Sequence, residues 1–186
     1  MSGRGGRDRV LDTGRGEAGR GEAGRRAGPR AQLPLLDRLV DDAPDEARDP
    51  PMSTGEAMEA LRGSVRRDLE ALLNARRRWR SWPAQYRELA ASPLGFGIPD
   101  FTAGAMNEPG RREMLRVEVE ATIRRFEPRL LSVKVVLVES ANKLEATLRL
   151  RIDGLLHADP APEPVAFDTT VDATTANVFV VVRDDA

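Results

Sequence analysis

The candidates for acid–base chemistry in this chain are the carboxylates Glu118, Glu120 and Glu127 and the single histidine, His157. Glycoside cleavage needs two carboxylates facing one bond, one of them held protonated as an acid. Glu118 and Glu120 stand two apart on a predicted helix, so they point in different directions. Glu127 lies in RRFEPRLLSVKV beside Arg129, and a nearby guanidinium favours the ionised carboxylate, the reverse of what a general acid requires. His157 opens a proline-rich loop, HADPAPEPV (157–165), and no GxSxG elbow accompanies it. One histidine and no cysteine argue against a transition-metal site and rule out a thiol nucleophile. DDAPDEARD lacks the ligand spacing of a calcium loop, and SPLGFGIPDF is not a phosphate loop. The expectation is a protein without catalytic residues, cofactor or metal. What stands out instead is the corner Glu127-Pro128-Arg129, two opposite charges across a proline.

Two helices and a run of strands must position that corner. Ser53 and Glu56 have capping-box spacing, and Met58, Leu61, Val65, Leu69, Leu72 and Leu73 follow at steps of three and four. The spacing predicts a helix from about 54 to 78 with one apolar stripe. Its end is basic, with Arg76, Arg77, Arg78 and Arg80, which suits the negative pole of the helix dipole as well as it suits an anion. The long connection 79–109 carries Leu94, Phe96, Ile98 and Phe101, and a loop this apolar should pack on something. A second helix is predicted over 108–126, with Leu115, Val119, Ile123 and Phe126 inward and Met114 and Val117 near the edge of the stripe. Pro128 ends it and pushes Glu127 toward extended geometry. Strands are expected at 130–139, at 144–153 by strict alternation, at 165–171 and at 177–182, with a turn at 141–143. The fold class is α+β, two main helices on one face of a mostly antiparallel sheet of about four strands. The last strand, Asn177-Val178-Phe179-Val180-Val181-Val182, would be aggregation-prone if left bare at an edge.

Composition sets the remaining limits. The chain has 186 residues, 40 % hydrophobic and only 4 % aromatic, so Leu, Val and Ile must build the core. Residues 1–30 hold eight arginines against four acids, which leaves 21 basic and 26 acidic residues for the rest. This Arg/Gly-rich segment repeats GRGEA at 14–18 and 19–23 and cannot bury enough apolar surface to fold. Residues 31–52 add the apolar cluster LPLLDRLV (33–40) and an acidic, proline-bearing linker; the cluster should dock on its own domain or on a partner. The folded domain is then 53–186. A nucleic-acid or acidic-partner adaptor acting through the basic tail is an alternative function, but the acidic body argues against a nucleic-acid surface on the domain. No run approaches about 18 apolar residues, so no membrane insertion is expected.

Three segments in order, SVRRDLEALLNARR (64–77), SPLGFGIPDF (92–101) and IRRFEPRLLSVKV (123–135), resemble the baseplate wedge family of contractile injection machines. The family comprises the T-even phage wedge component once labelled lysozyme-like and its type VI secretion counterpart, TssE. The resemblance implies a structural protein in a cytoplasmic baseplate docked at the inner face of the cytoplasmic membrane. It implies that Glu127, Pro128 and Arg129 form a wedge-joining motif contacting TssF and TssG, with TssK, the VgrG spike hub and the TssB/TssC sheath as further partners. It makes the strand Asn177–Val182 the candidate sheath contact, through which the first sheath ring would be templated by strand pairing. The old label leaves a peptidoglycan-cleaving enzyme as the catalytic alternative. On this reading Glu127 and Arg129 reach outward from a rigid bend, and Arg129→Ala weakens wedge assembly while leaving the fold largely intact.

Overall fold

The computed structural model describes residues 34–40, 44–45, 52–77, 83, 85–101, 108–138, 147–159, 161–172 and 174–183. The basic tail, nearly all of the acidic linker, Arg78, Arg80 and the turn at 141–143 lie outside them. The elements are helices α1 (Leu35–Leu39), α2 (Thr54–Asn74) and α3 (Pro109–Phe126) and strands β1 (Arg76–Arg77), β2 (Ile98–Pro99), β3 (Leu130–Val138), β4 (Thr147–Leu156), β5 (Glu163–Asp172) and β6 (Val178–Val182). Strands β3 to β6 pair antiparallel in chain order, while β1 and β2 form a separate two-stranded parallel pair. The expected α+β architecture is the observed one.

Helix α2 begins at the predicted capping box: Ser53 Oγ accepts from the Glu56 amide at 3.2 Å, and Glu56 Oε2 accepts from the Ser53 amide at 2.7 Å. Two of the orphan amides of the first turn are thereby satisfied. Ser53→Ala is expected to cost about 1 kcal/mol in chemical denaturation; a change under about 0.3 kcal/mol would show that the helix does not depend on this cap. The stripe of Leu61, Val65, Leu69, Leu72 and Leu73 is buried against the sheet, opposite Leu150, Ile152, Phe167, Val171 and Val180. On α3 the buried residues are Leu115, Val119, Thr122 and Ile123, whereas Met114 and Val117 are exposed.

Helix α2 stops at Asn74, four residues short of the predicted end. Ala75 turns extended, and its carbonyl accepts from the Ile98 amide at 3.1 Å, which starts the β1–β2 pair. The apolar loop therefore packs as expected. Ile98 is buried, and the Phe96 ring meets Phe126 edge-on at 5.3 Å. The basic helix end is used structurally: Arg76 Nη1 donates to the Leu73 carbonyl at 2.8 Å, its guanidinium lies 5.1 Å over the Phe101 ring, and Arg77 pairs with Glu118 at 2.5 Å.

Strand boundaries differ from those expected: β3 ends at Val138, β5 runs on to Asp172, and β6 begins at Val178, so Asn177 precedes it, with its carbonyl taken by the Asp172 amide. β4 runs on to Leu156, and β5 begins at Glu163 with Pro164 inside it, so the proline-rich loop shrinks to 157–162. Pro164 is tolerated because β6 has ended by there. Its last partner pairing is Val182 with Phe167, so among the described residues the proline's missing amide faces no strand.

Candidate functional site

The Glu-Pro-Arg corner joins α3 to β3 and is held by backbone hydrogen bonds on both sides of the proline. The Glu127 amide closes the helix on the Ile123 carbonyl at 2.8 Å, the Leu130 amide turns back to the Glu127 carbonyl at 3.2 Å, and the Arg129 carbonyl accepts from the His157 amide at 2.8 Å. Glu127 itself leaves helical geometry at φ −117°, ψ 78°, as a residue preceding proline must. Pro128 is exposed.

The two charges do not reach outward, which corrects the sequence expectation. Glu127 is only 4 % exposed, and its carboxylate is turned onto Arg129 two residues ahead. Arg129 Nε donates to Glu127 Oε1 at 2.6 Å, Nη2 donates to Oε2, and the Arg129 amide donates to Oε1 at 3.2 Å. The rest of the guanidinium reaches α2: Nη1 donates to Ser64 Oγ at 3.0 Å and Nη2 to Asp68 Oδ2 at 2.6 Å. A fork-shaped guanidinium holds a carboxylate bidentately in this way, and a lysine could not. The physical reason for the inward turn is desolvation. A half-buried arginine and a buried glutamate lower their joint cost by pairing with each other and with the helix beside them. Burial works against the Arg129 charge, but the hydrogen bonds and charges of Glu127 and then Asp68 outweigh it, so Arg129 is held protonated more firmly than a free guanidinium.

Helix α1 joins the same network. Arg67 Nη1 donates to Asp37 Oδ1 at 2.7 Å and Arg67 Nη2 donates to the buried Ser64 hydroxyl at 3.2 Å, so Ser64 is shared by Arg67 and Arg129. The Arg67 bond, opposed by partial burial and helped by Ser64, holds the Asp37 carboxyl below its ordinary value of 3.8. The apolar residues of this segment, Leu35, Leu36, Leu39 and Val40, stay exposed. Among the described residues the cluster thus docks on its own domain through the Asp37 charge and not through Leu35, Leu36 or Leu39. A carboxyl whose folded pKa is depressed stabilises the docked form above its ordinary value, and that contribution is lost as pH falls through the lower folded value. Asp37→Asn is therefore expected to remove the amide protection of α1 at pH 7 while the melting temperature of the body stays unchanged. Hydrogen exchange reads this directly, and retained protection would place the anchor elsewhere.

Each of the carboxylates considered for catalysis is already held. Glu118 binds Arg77, and Glu127 binds Arg129. Glu120 binds Arg116 at 3.0 Å, Arg124 at 2.8 Å and the Val135 amide at 3.1 Å. His157 is exposed at the end of β4. Among the described residues no group of His, Cys, Asp and Glu could hold a metal ion, and no helix is long and apolar enough to cross a membrane. Sequence reasoning missed Ser64, Asp68 and Arg67 as partners of the corner; the signal available was the polar run Ser64, Arg66, Arg67, Asp68 beside the apolar stripe of α2.

The family model described as "Baseplate wedge protein gp25" matches residues 59–161, more than half of the chain. The matched span takes in most of α2, the apolar loop, α3, the corner, β3 and β4. No curated protein and no solved structure matches significantly. The family is structural, and its members work among other baseplate subunits. The chain belongs to the gp25 family of baseplate wedge proteins and is a structural component of a phage or contractile-injection baseplate.

Proposed function

We propose that this chain is the TssE-type wedge protein of a type VI secretion baseplate, acting in the cytoplasm at the inner face of the cytoplasmic membrane. Residues 53–186 are its wedge domain, with 31–52 an attached segment and 1–30 an Arg/Gly-rich tail. The observation that carries the reading is the built corner: Pro128 stands exposed on a bend held from within by the Glu127 and Leu130 amides and by the pairing of Arg129 with Glu127 and Asp68. A surface already fixed in one shape loses little entropy when a partner meets it. Glu127 and Arg129 serve the joint by holding that shape, and Pro128 with the partly exposed edge of Arg129 meets TssF and TssG. TssK and the VgrG hub complete the wedge surroundings. The segment Asn177–Val182, which contains strand β6, receives a strand from the TssB/TssC sheath and starts its first ring.

A photo-cross-linker placed at Arg125 tests the joint. Arg125 is exposed, two residues before the corner, and its one hydrogen bond is a weak 3.4 Å contact to the Ala90 carbonyl. Adducts with TssF or TssG in assembled baseplates are expected. Assembled baseplates that give no adduct from this position, yet give one from the helix-free face of the sheet, would move the joint away from the corner.

A further inference from the structure

Both outer strands of the sheet turn backbone groups away from their single neighbour, and helix side chains take them. On β3, Arg124 Nη2 donates to the Val133 carbonyl at 2.8 Å and Arg116 Nη1 to the Val135 carbonyl at 3.1 Å, while Glu120 accepts from the Val135 amide at 3.1 Å. Glu120 also binds both arginines, so this closure is a charged, cross-linked lattice. On β6, the single amide of Asn74 does what an added strand residue would do: Oδ1 accepts from the Val178 amide at 2.9 Å and Nδ2 donates to the Val178 carbonyl at 2.8 Å. Arg66 Nη1 adds a long bond of 3.3 Å to the Val180 carbonyl. Capping of this kind keeps an open edge from pairing with the wrong chain.

The two closures are unequal. The Asp172 amide bonds the Asn177 carbonyl and the Arg183 amide bonds the Ala166 carbonyl. Antiparallel alternation then aims the backbone groups of Val178, Val180 and Val182 at the open side. Among the described residues no side chain takes the Val180 amide or either group of Val182. On the helix-free face β6 presents Val181 and Phe179, 62 % and 55 % exposed, across from Asp168 and Thr170 on β5; Val136 and Val138 on β3 are less exposed.

We propose that β6 is the gated edge of the sheet. It accepts an extended segment of a partner subunit, starting at Val180–Val182 and completed when Asn74 leaves Val178. The recognised chemistry is main-chain hydrogen bonding plus apolar side chains at alternate positions beside Phe179 and Val181. β3 is locked by its charged lattice. This rests on the strand-pairing reading above and adds from which end the edge opens, which residue holds it shut and why β3 does not compete.

If only the open form binds, apparent affinity is reduced by the open fraction, so removing the gate raises it. The test uses the full chain, Asn74→Ala and, for β3, Arg124→Ala, with the purified TssB–TssC pair as the probe and hydrogen exchange as a second readout. In the wild type the Val180 amide should exchange faster than that of Val178. Asn74→Ala should speed Val178 exchange at least tenfold and bind the sheath pair at least fivefold more tightly, and Arg124→Ala should bind as the wild type does. Wild-type binding that Asn74→Ala leaves unchanged overturns the gate and spares the strand-pairing reading. Absence of binding by every form overturns both. A gain in Arg124→Ala instead moves the accepting edge to β3, and self-association of Asn74→Ala without sheath binding makes the occupant a second copy; either result overturns the proposal.

Discussion

Arg129→Ala is expected to destabilise the folded chain by about 3 kcal/mol in urea denaturation at pH 7, the scale for breaking a buried ion pair from one side. An exposed pair would cost about 0–1 kcal/mol, so the placement of the two groups decides the magnitude. Glu127 is 4 % exposed and among the described residues takes its side-chain hydrogen bonds from Arg129 alone. Removing the guanidinium strands that carboxylate and also unties Ser64 and Asp68 on α2. This replaces the expectation, drawn from sequence, that the variant leaves the fold largely intact. Arg129→Lys keeps the charge but loses the fork, and should fall between the two. Replacing Glu127 and Arg129 together by methionine removes both charges at similar volume and should recover most of the loss. If Arg129→Ala costs less than about 1 kcal/mol, the corner is not held by this pair.

Gly97→Ala is expected to cost about 3 kcal/mol, although it adds one methyl group to a loop; the figure combines a strained backbone with partial loss of one buried isoleucine. Gly97 has φ +96°, and a Cβ there would lie 2.4 Å from the Ala75 carbonyl oxygen and 2.7 Å from its carbon. Those atoms are backbone at the end of α2, and the same carbonyl holds the Ile98 amide. The methyl can be accommodated only by opening β1 from β2 and lifting Ile98 out of the core. Gly63 is the control, since a Cβ there meets nothing within 4 Å. Gly63→Ala in the middle of α2 should stabilise by about 0.5–1 kcal/mol through helix propensity and a less flexible unfolded chain. Opposite signs at the two glycines, read from denaturation midpoints, are the expected pattern; equal effects would mean that the loop does not approach Ala75.

The two main helices, the cap of α2 and the four strands of the antiparallel sheet were legible because local periodicity carries them. Ser53 with Glu56, the α2 stripe, and the proline at each end of α3 are all local signals. The end of α2 was not legible, because it is set by Ile98, more than twenty residues away, competing for the Ala75 carbonyl. The corner was legible as a corner. Its charges were misjudged because Ser64 and Asp68, which draw Arg129 inward, are some sixty residues upstream. The edge closures follow the same rule. Arg116, Glu120 and Arg124 stand four apart on one helix face, a visible stripe, but only the packing of α3 beside β3 reveals that the stripe is aimed at a strand. Family resemblance supplied the wedge role, and the match over residues 59–161 supports it at the level of the family.

The most direct test of the wedge role is co-elution of the purified full chain with the TssF–TssG complex in size-exclusion chromatography. The account predicts a stable ternary complex for the wild type, and a weakened one for Arg129→Ala at a temperature where that variant is still folded. Separate elution of wild-type chain and TssF–TssG, with both folded, would contradict it.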